Sequence, residues 1–203
     1  MKYIVISLLI IITGCSYIPT SPTLGSNHPE VGNPINITYS INYYAGTADD
    51  AVAYPANLSD ISFDPKILSN SIKGMLKNNP MINVFRYSNS PSTSSYHLEI
   101  EYFIGNRFKP MAMAGKFLHI ITLGLIPRYE DYEADLVLTI TDSEGYRVGR
   151  KTTHLEGYDQ FGWFTLSSGS SFTPKSSLIK PKIDQIVKAV EWKLAELKSD
   201  KNI

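Results

Sequence analysis

The sequence predicts an α+β fold, an antiparallel sheet of about five or six strands with two helices packed on one face. Three observations predict it. Two stretches, Ile35 to Tyr43 and Tyr96 to Ile104, alternate apolar and polar residues with period two, the mark of a half-buried strand. Asp142-Ser143-Glu144-Gly145 lies between two strand-like segments and reads as a hairpin turn, with Gly supplying positive φ. Two further segments carry apolar residues at helical spacing, one after Asp64-Pro65 and one at the end of the chain.

Taken in order, Ile35, Ile37, Tyr39, Ile41 and Tyr43 form the apolar side of the first strand against Asn36, Thr38, Ser40, Asn42 and Tyr44. A loop follows through Gly46, Asp49, Asp50 and Pro55. Asp64 then reads as an N-cap with Pro65 at the first helical position. Ile67, Leu68, Ile72, Met75 and Leu76 share one face of that helix, and Asn78-Asn79-Pro80 stops it. Met81 to Tyr87 reads as a short strand. In the next strand Tyr96, Leu98, Ile100, Tyr102 and Ile104 oppose His97, Glu99, Glu101 and Phe103. Tyr132, Ala134, Leu136, Leu138 and Ile140 line one face of another, and Tyr146 to His154 returns antiparallel to it. The aromatic stretch Tyr158, Phe161, Trp163 and Phe164 is expected to add a further strand. Ile183, Ile186, Val187, Val190, Leu194 and Leu197 make the stripe of a last helix, starting near Pro181 or earlier at Pro174 with a kink.

The chain has 203 residues, 43% hydrophobic and 19% charged, which is globular and far from disordered composition. Residues 35–203 suffice for a single α+β domain with its own core. The formal net charge is zero, so no clustered Lys and Arg surface is expected and nucleic acid is not a partner. One cysteine, Cys15, excludes an intrachain disulfide framework.

The N-terminus says more. Lys2 precedes the apolar run Ile4-Val5-Ile6-Ser7-Leu8-Leu9-Ile10-Ile11-Ile12, too short for a stable membrane span, and the run ends in Ile12-Thr13-Gly14-Cys15. This resembles the lipobox of bacterial lipoproteins: an aliphatic residue, a small residue, Gly, then Cys. The resemblance implies a signal peptide over residues 1–14, a diacylglycerol on the sulfur of Cys15, and fatty acylation, such as palmitate, on the new N-terminus. Two or three acyl chains anchor stably where one does not. Ser16, where an Asp would imply retention in the inner membrane, implies the outer membrane, with the body facing the periplasm or the cell surface. Residues 15–34 carry Pro19, Pro22, Pro29 and Pro34 with few apolar residues and are expected to be a flexible tether. Extended, it would reach about 60 Å. The element order, over the helix-then-strand stretch Phe63 to Ile104, also resembles the small α/β bodies of envelope-assembly and transporter-auxiliary lipoproteins. That second resemblance carries no site motif and transfers no functional residues.

Chemistry is sparse. His28, His97, His119 and His154 stand far apart with no metal-ligand spacing, and no nucleophile elbow or glycine-rich phosphate cradle is present. Ser167 to Ser171 reads as a flexible loop. Glu99 and Glu101 share a strand face, and Glu130, Asp131, Glu133 and Asp135 form an acidic cluster without a calcium-loop pattern. The expectation is no catalytic residue, no metal, no cofactor and no enzyme. The anomaly is the run from Met111 to Pro127, whose only fixed charge is Lys116. Read one way it crosses the core or adds an edge element; read the other it meets lipid or a protein partner, with Phe117, Leu123, Leu125 and Ile126 as the contact residues. Burial is expected over its first half and exposure from Thr122 to Pro127. The leading function is a non-enzymatic, lipid-anchored envelope protein that binds another envelope component. Two rivals remain: an immunity or exclusion lipoprotein with an acidic or aromatic contact surface around Tyr129 to Asp135, and a lipid-anchored hydrolase with a deep polar pocket.

Overall fold

The computed structural model describes residues 14–20, 34–49, 54–57, 61, 63–80, 82–89, 96–105, 110–122, 128–162 and 174–201. Among these residues the strands are β1 (Gly14–Pro19), β2 (Ile35–Ala45), β3 (Tyr54–Pro55), β4 (Ile82–Tyr87), β5 (Tyr96–Ile104), β6 (Arg128–Asp142) and β7 (Arg147–Gly162). The helices are α1 (Pro65–Asn78), α2 (Pro110–Ile121) and α3 (Pro174–Lys201). The fold is α+β. Its sheet is mixed rather than antiparallel, with seven strands in the order β1-β7-β6-β5-β2-β3 and β4 also on β2, and three helices rather than two.

The correction has a physical source. Period-two alternation reports which face a side chain takes and nothing about the direction of the neighbouring strand. Strand β2 runs parallel to both β4 and β5, while β5 with β6 is antiparallel. A strand with parallel neighbours is commonly covered on both faces. So it is here: Thr38 and Ser40, on the polar side of the alternation, are buried along with Ile37, Tyr39 and Ile41.

The chain divides into two compact units. The larger comprises residues 22–106, 134–155 and 183–203. Its core is a set of cross-strand rungs: Tyr39, Leu98 and Ile140; Ile41, Ile100 and Leu138; Tyr43, Tyr102 and Leu136. All but the half-buried Tyr43 are buried. Leu68, Ile72 and Leu76 repeat every fourth residue along α1 and are fully buried. The start of α1 is placed by Phe63, whose ring lies 5.7 Å from that of Tyr102, and by the Tyr43 hydroxyl, which donates to the Pro65 carbonyl at 3.4 Å. Asp64 caps the helix as expected, its carboxylate accepting from the Lys66 amide at 2.9 Å. The helix ends at Asn78. Ile67, expected on the buried face, is exposed, because it lies a full 100° round the helix from Leu68. In α3, Ile183, Ile186, Val190, Leu194 and Leu197 are buried and Val187 is half-buried. The helix begins at Pro174 and contains Pro181, the earlier of the two expected starts. The β6–β7 hairpin also matches: Gly145 has φ 87°, and the Asp142 carboxylate accepts from the amides of Glu144 (3.0 Å) and Tyr146 (2.9 Å).

The smaller unit comprises residues 1–21, 107–133 and 156–182. Here β7 continues to Gly162, so Tyr158 and Phe161 extend it rather than forming a separate strand; Trp163 and Phe164 lie outside the described residues. Strand β1 pairs antiparallel with β7, from Gly14 opposite Gly162 to Pro19 opposite Gly157. The first residues of the expected tether, 15–19, are thus a paired strand rather than a coil. The outer edge of β7 offers a row of backbone donors and acceptors that an extended segment satisfies without any apolar pattern of its own. Residues 21–33 of the expected tether and residues 1–13 of the expected signal peptide lie outside the described residues. Lys182 of α3 is buried, its ammonium 2.7 Å from the Asp159 carboxylate of β7 and 4.8 Å from the ring centroid of Tyr132 on β6. Burial raises the Asp159 pKa, against the opposing pull of its bond to Lys182.

Leu138 occupies the middle rung at 0% exposure. Leu138→Ala should cost about 2–5 kcal/mol in urea melts of the body, as removal of packed methyl groups from a rigid core does.

Candidate functional site

The run from Met111 contains α2, Pro110–Ile121, followed by a turn at Thr122 whose amide donates to the Leu118 carbonyl at 3.0 Å. Where side chains are described, the helix is inside out. Phe117 is 64% exposed, Leu118 47%, Ile120 69% and Ile121 60%. At 3.6 residues per turn these four fall within an arc of about 160°. Lys116 and His119 lie outside that arc and are half-buried, and the Lys116 ammonium is 3.1 Å from Glu130. The expectation that the first half of the run packs in the core is therefore overturned at Phe117 and Leu118. The apolar content of the run was read as a demand for core, whereas apolar composition alone does not say what provides the burial.

Of the contact residues read from sequence, Phe117 is on this face, while Leu123, Leu125 and Ile126 lie outside the described residues. Leu118, Ile120 and Ile121 were missed, although their spacing with Phe117 is a helical stripe legible in the sequence. Cys15 is the second residue of β1, opposite Phe161, and belongs to the same compact unit as α2.

The larger unit carries a polar sheet face. On it His97 of β5 is 6% exposed and held between two hydroxyls of β2: Thr38 Oγ1 lies 2.9 Å from Nδ1 and Ser40 Oγ 3.2 Å from Nε2. The Thr38 hydroxyl also donates to the Tyr96 carbonyl at 3.5 Å. Hydroxyls donate or accept, so both ring nitrogens are satisfied within the sheet. Burial lowers the His97 pKa, with Glu99 opposing. One step along the sheet, Asn42 donates to Glu99 at 2.8 Å. Glu101 has its pKa raised by burial and by Glu99, and lowered in part by Arg150. The rings of Tyr44 and Phe103 stack at 4.9 Å. Glu99 and Glu101 do share a face, but Glu99 is engaged by an amide, and the groups around the pair are those of a buttressed sheet. This His97 cluster was not legible in the sequence, because its partners are 57 and 59 residues away along the chain.

The acidic cluster of β6 is divided by its own strand. Glu130 pairs with Lys116, whereas Asp135 holds His154 at 2.5 Å and accepts from the Ala48 amide at 3.0 Å.

No protein-family model matches the chain, and no curated protein matches it. Among solved structures it is similar to a minor lipoprotein from Acinetobacter baumannii, 13% identical over 82% of this chain and 90% of that one, with a TM-score of 0.32. A DUF4136 family protein from Bacteroides thetaiotaomicron VPI-5482 is 4% identical over 89% and 97%, with a TM-score of 0.33. A PelC dodecamer from Paraburkholderia phytofirmans is 13% identical over 87% and 97%, with a TM-score of 0.30. TM-scores this low transfer neither fold nor role.

His97 gives a pH signature. Its folded-state pKa lies below the unfolded value of about 6.5, so the unfolded chain takes up the proton first. Stability is full above that value and falls as pH drops through it toward the folded pKa. Urea melts of the body at pH 7.5 and 5.5 should show a loss at the lower pH that is smaller in His97→Gln.

Proposed function

We propose that this chain is a non-enzymatic, lipid-anchored envelope protein, held at the outer membrane through acylated Cys15, whose body docks on another envelope component through α2. One observation carries the reading: a helix that turns Phe117, Leu118, Ile120 and Ile121 to solvent belongs to the compact unit that contains Cys15. Leaving four large apolar side chains in water forgoes about 1.5–3 kcal/mol for each, a loss that a docking surface recovers on contact. The lipobox supplies the anchor and the inside-out helix supplies the contact. No helix among the described residues is long and apolar enough to cross a membrane, which leaves the span to the lipid in this reading. The immunity or exclusion alternative gains nothing from β6, where Glu130 and Asp135 are spent on Lys116, His154 and the Ala48 amide.

Two measurements test the parts separately. Mass spectrometry of the chain from its own cells should find an acylated N-terminal Cys15, and Cys15→Ser should accumulate as an unprocessed precursor; an unmodified peptide beginning elsewhere refutes the anchor. Phe117→Ser should leave the melting temperature of the body nearly unchanged, since an exposed side chain contributes little to folding. A steep drop would return this residue to the core.

A further inference from the structure

We infer that the component α2 docks on is the lipid bilayer itself: the helix lies in the plane of the membrane interface, its Phe117, Leu118, Ile120 and Ile121 face set among the upper acyl chains. The inference rests on the anchored reading above and names what covers the helix.

Four features select lipid. First, a surface helix of a soluble protein puts its apolar stripe inward and its charges outward; α2 does the reverse, with Lys116 and His119 half-buried beside an exposed apolar arc. Second, Cys15 is not at the end of a leash here. It is paired into β1 on the edge of β7, so its acyl chains and α2 are carried by one compact unit, and a bilayer that takes the chains meets that unit directly. Third, the helix has 12 residues, about 18 Å, against a hydrocarbon core of about 30 Å. It cannot span, but a short apolar helix settles about 5–10 Å deep at the headgroup boundary. Fourth, the arc contains no hydrogen-bonding side chain. A protein partner needs polar contacts to fix its register, and fluid acyl chains need none. The helix has no acidic residue to repel anionic headgroups, and its one lysine lies beside the arc, paired with Glu130, at the level where phosphates begin.

The single cysteine makes the test direct. Ile120→Cys and Phe117→Cys each add one thiol on the arc, and Glu144→Cys adds one at the exposed hairpin tip of the larger unit as a control. The full-length, processed chains are labelled with an environment-sensitive nitrobenzoxadiazole dye and reconstituted in phosphatidylethanolamine–phosphatidylglycerol vesicles bearing nitroxide lipids. With Cys15 acylated, each chain takes up a single label. The labels at 117 and 120 should shift to the blue and be quenched more by nitroxide near the headgroup than by nitroxide deep in the chains, while the label at 144 should do neither. If every chain takes a single label and floats with the vesicles but 117 and 120 remain as unquenched as 144, the helix inference is overturned and the anchor stands. Two labels per chain without flotation overturn the anchor and the inference with it. A disulfide dimer through position 120, with no quenching, assigns the face to a second copy of this chain and overturns the bilayer.

Discussion

The parallel neighbours on both edges of β2 are the constraint from which most of the larger unit follows. A parallel pair cannot be closed by a tight turn, so the chain leaving β2 must travel back along the sheet before β4 begins, and α1 makes that return. β4 ends level with Tyr39 and β5 begins level with Ile37 on the opposite edge, so the two strands share β2 in a staggered way rather than competing for it. With both edges taken, β2 is interior, and its polar row has to be satisfied inside the protein. Thr38 and Ser40 manage this by holding His97 across the β5 pair, which makes the buried imidazole a product of the topology.

Much of this architecture is written locally and can be read locally. Asp64 and Pro65 announce a helix start because capping chemistry involves residues two apart, and Asp142 to Gly145 announce a turn for the same reason. That Leu98, Ile100 and Tyr102 share one face of β5, and Leu136, Leu138 and Ile140 one face of β6, follows from alternation on each strand. What could not be read is whatever depends on a distant partner. Strand direction is one case, since the same alternation serves parallel and antiparallel neighbours. The pairing of residues 15–19 is another, since a proline-bearing segment is recruited by the edge of β7 rather than by its own pattern. The site divides similarly: the apolar character of the α2 run was evident from composition, but its outward orientation was not, because hydropathy gives the appetite for a nonpolar medium and not its identity.

The two compact units also divide the chemistry. The smaller unit holds Cys15, the inside-out helix and a buried lysine–aspartate pair braced by an aromatic ring. Such a pair gains little net energy over an apolar substitute, but losing one partner strands a buried charge, so Lys182, Asp159 and Tyr132 hold α3, β7 and β6 in one arrangement. The larger unit holds the apolar rungs and the buried histidine. Strands β6 and β7 and helix α3 each contribute residues to both units.

The pairing of β1 with β7 has a consequence for the order in which the molecule is completed. Gly14 and its partner Gly162 lie 148 residues apart in the sequence. Closing the outer edge of β7 is therefore a contact of high sequence separation, the slow kind. Until that pairing forms, the backbone at Cys15 is open to other molecules, and afterwards it is part of a hydrogen-bonded ladder. Any reaction that needs the backbone at Gly14 and Cys15 extended and unpaired therefore has to precede the sealing of the sheet edge.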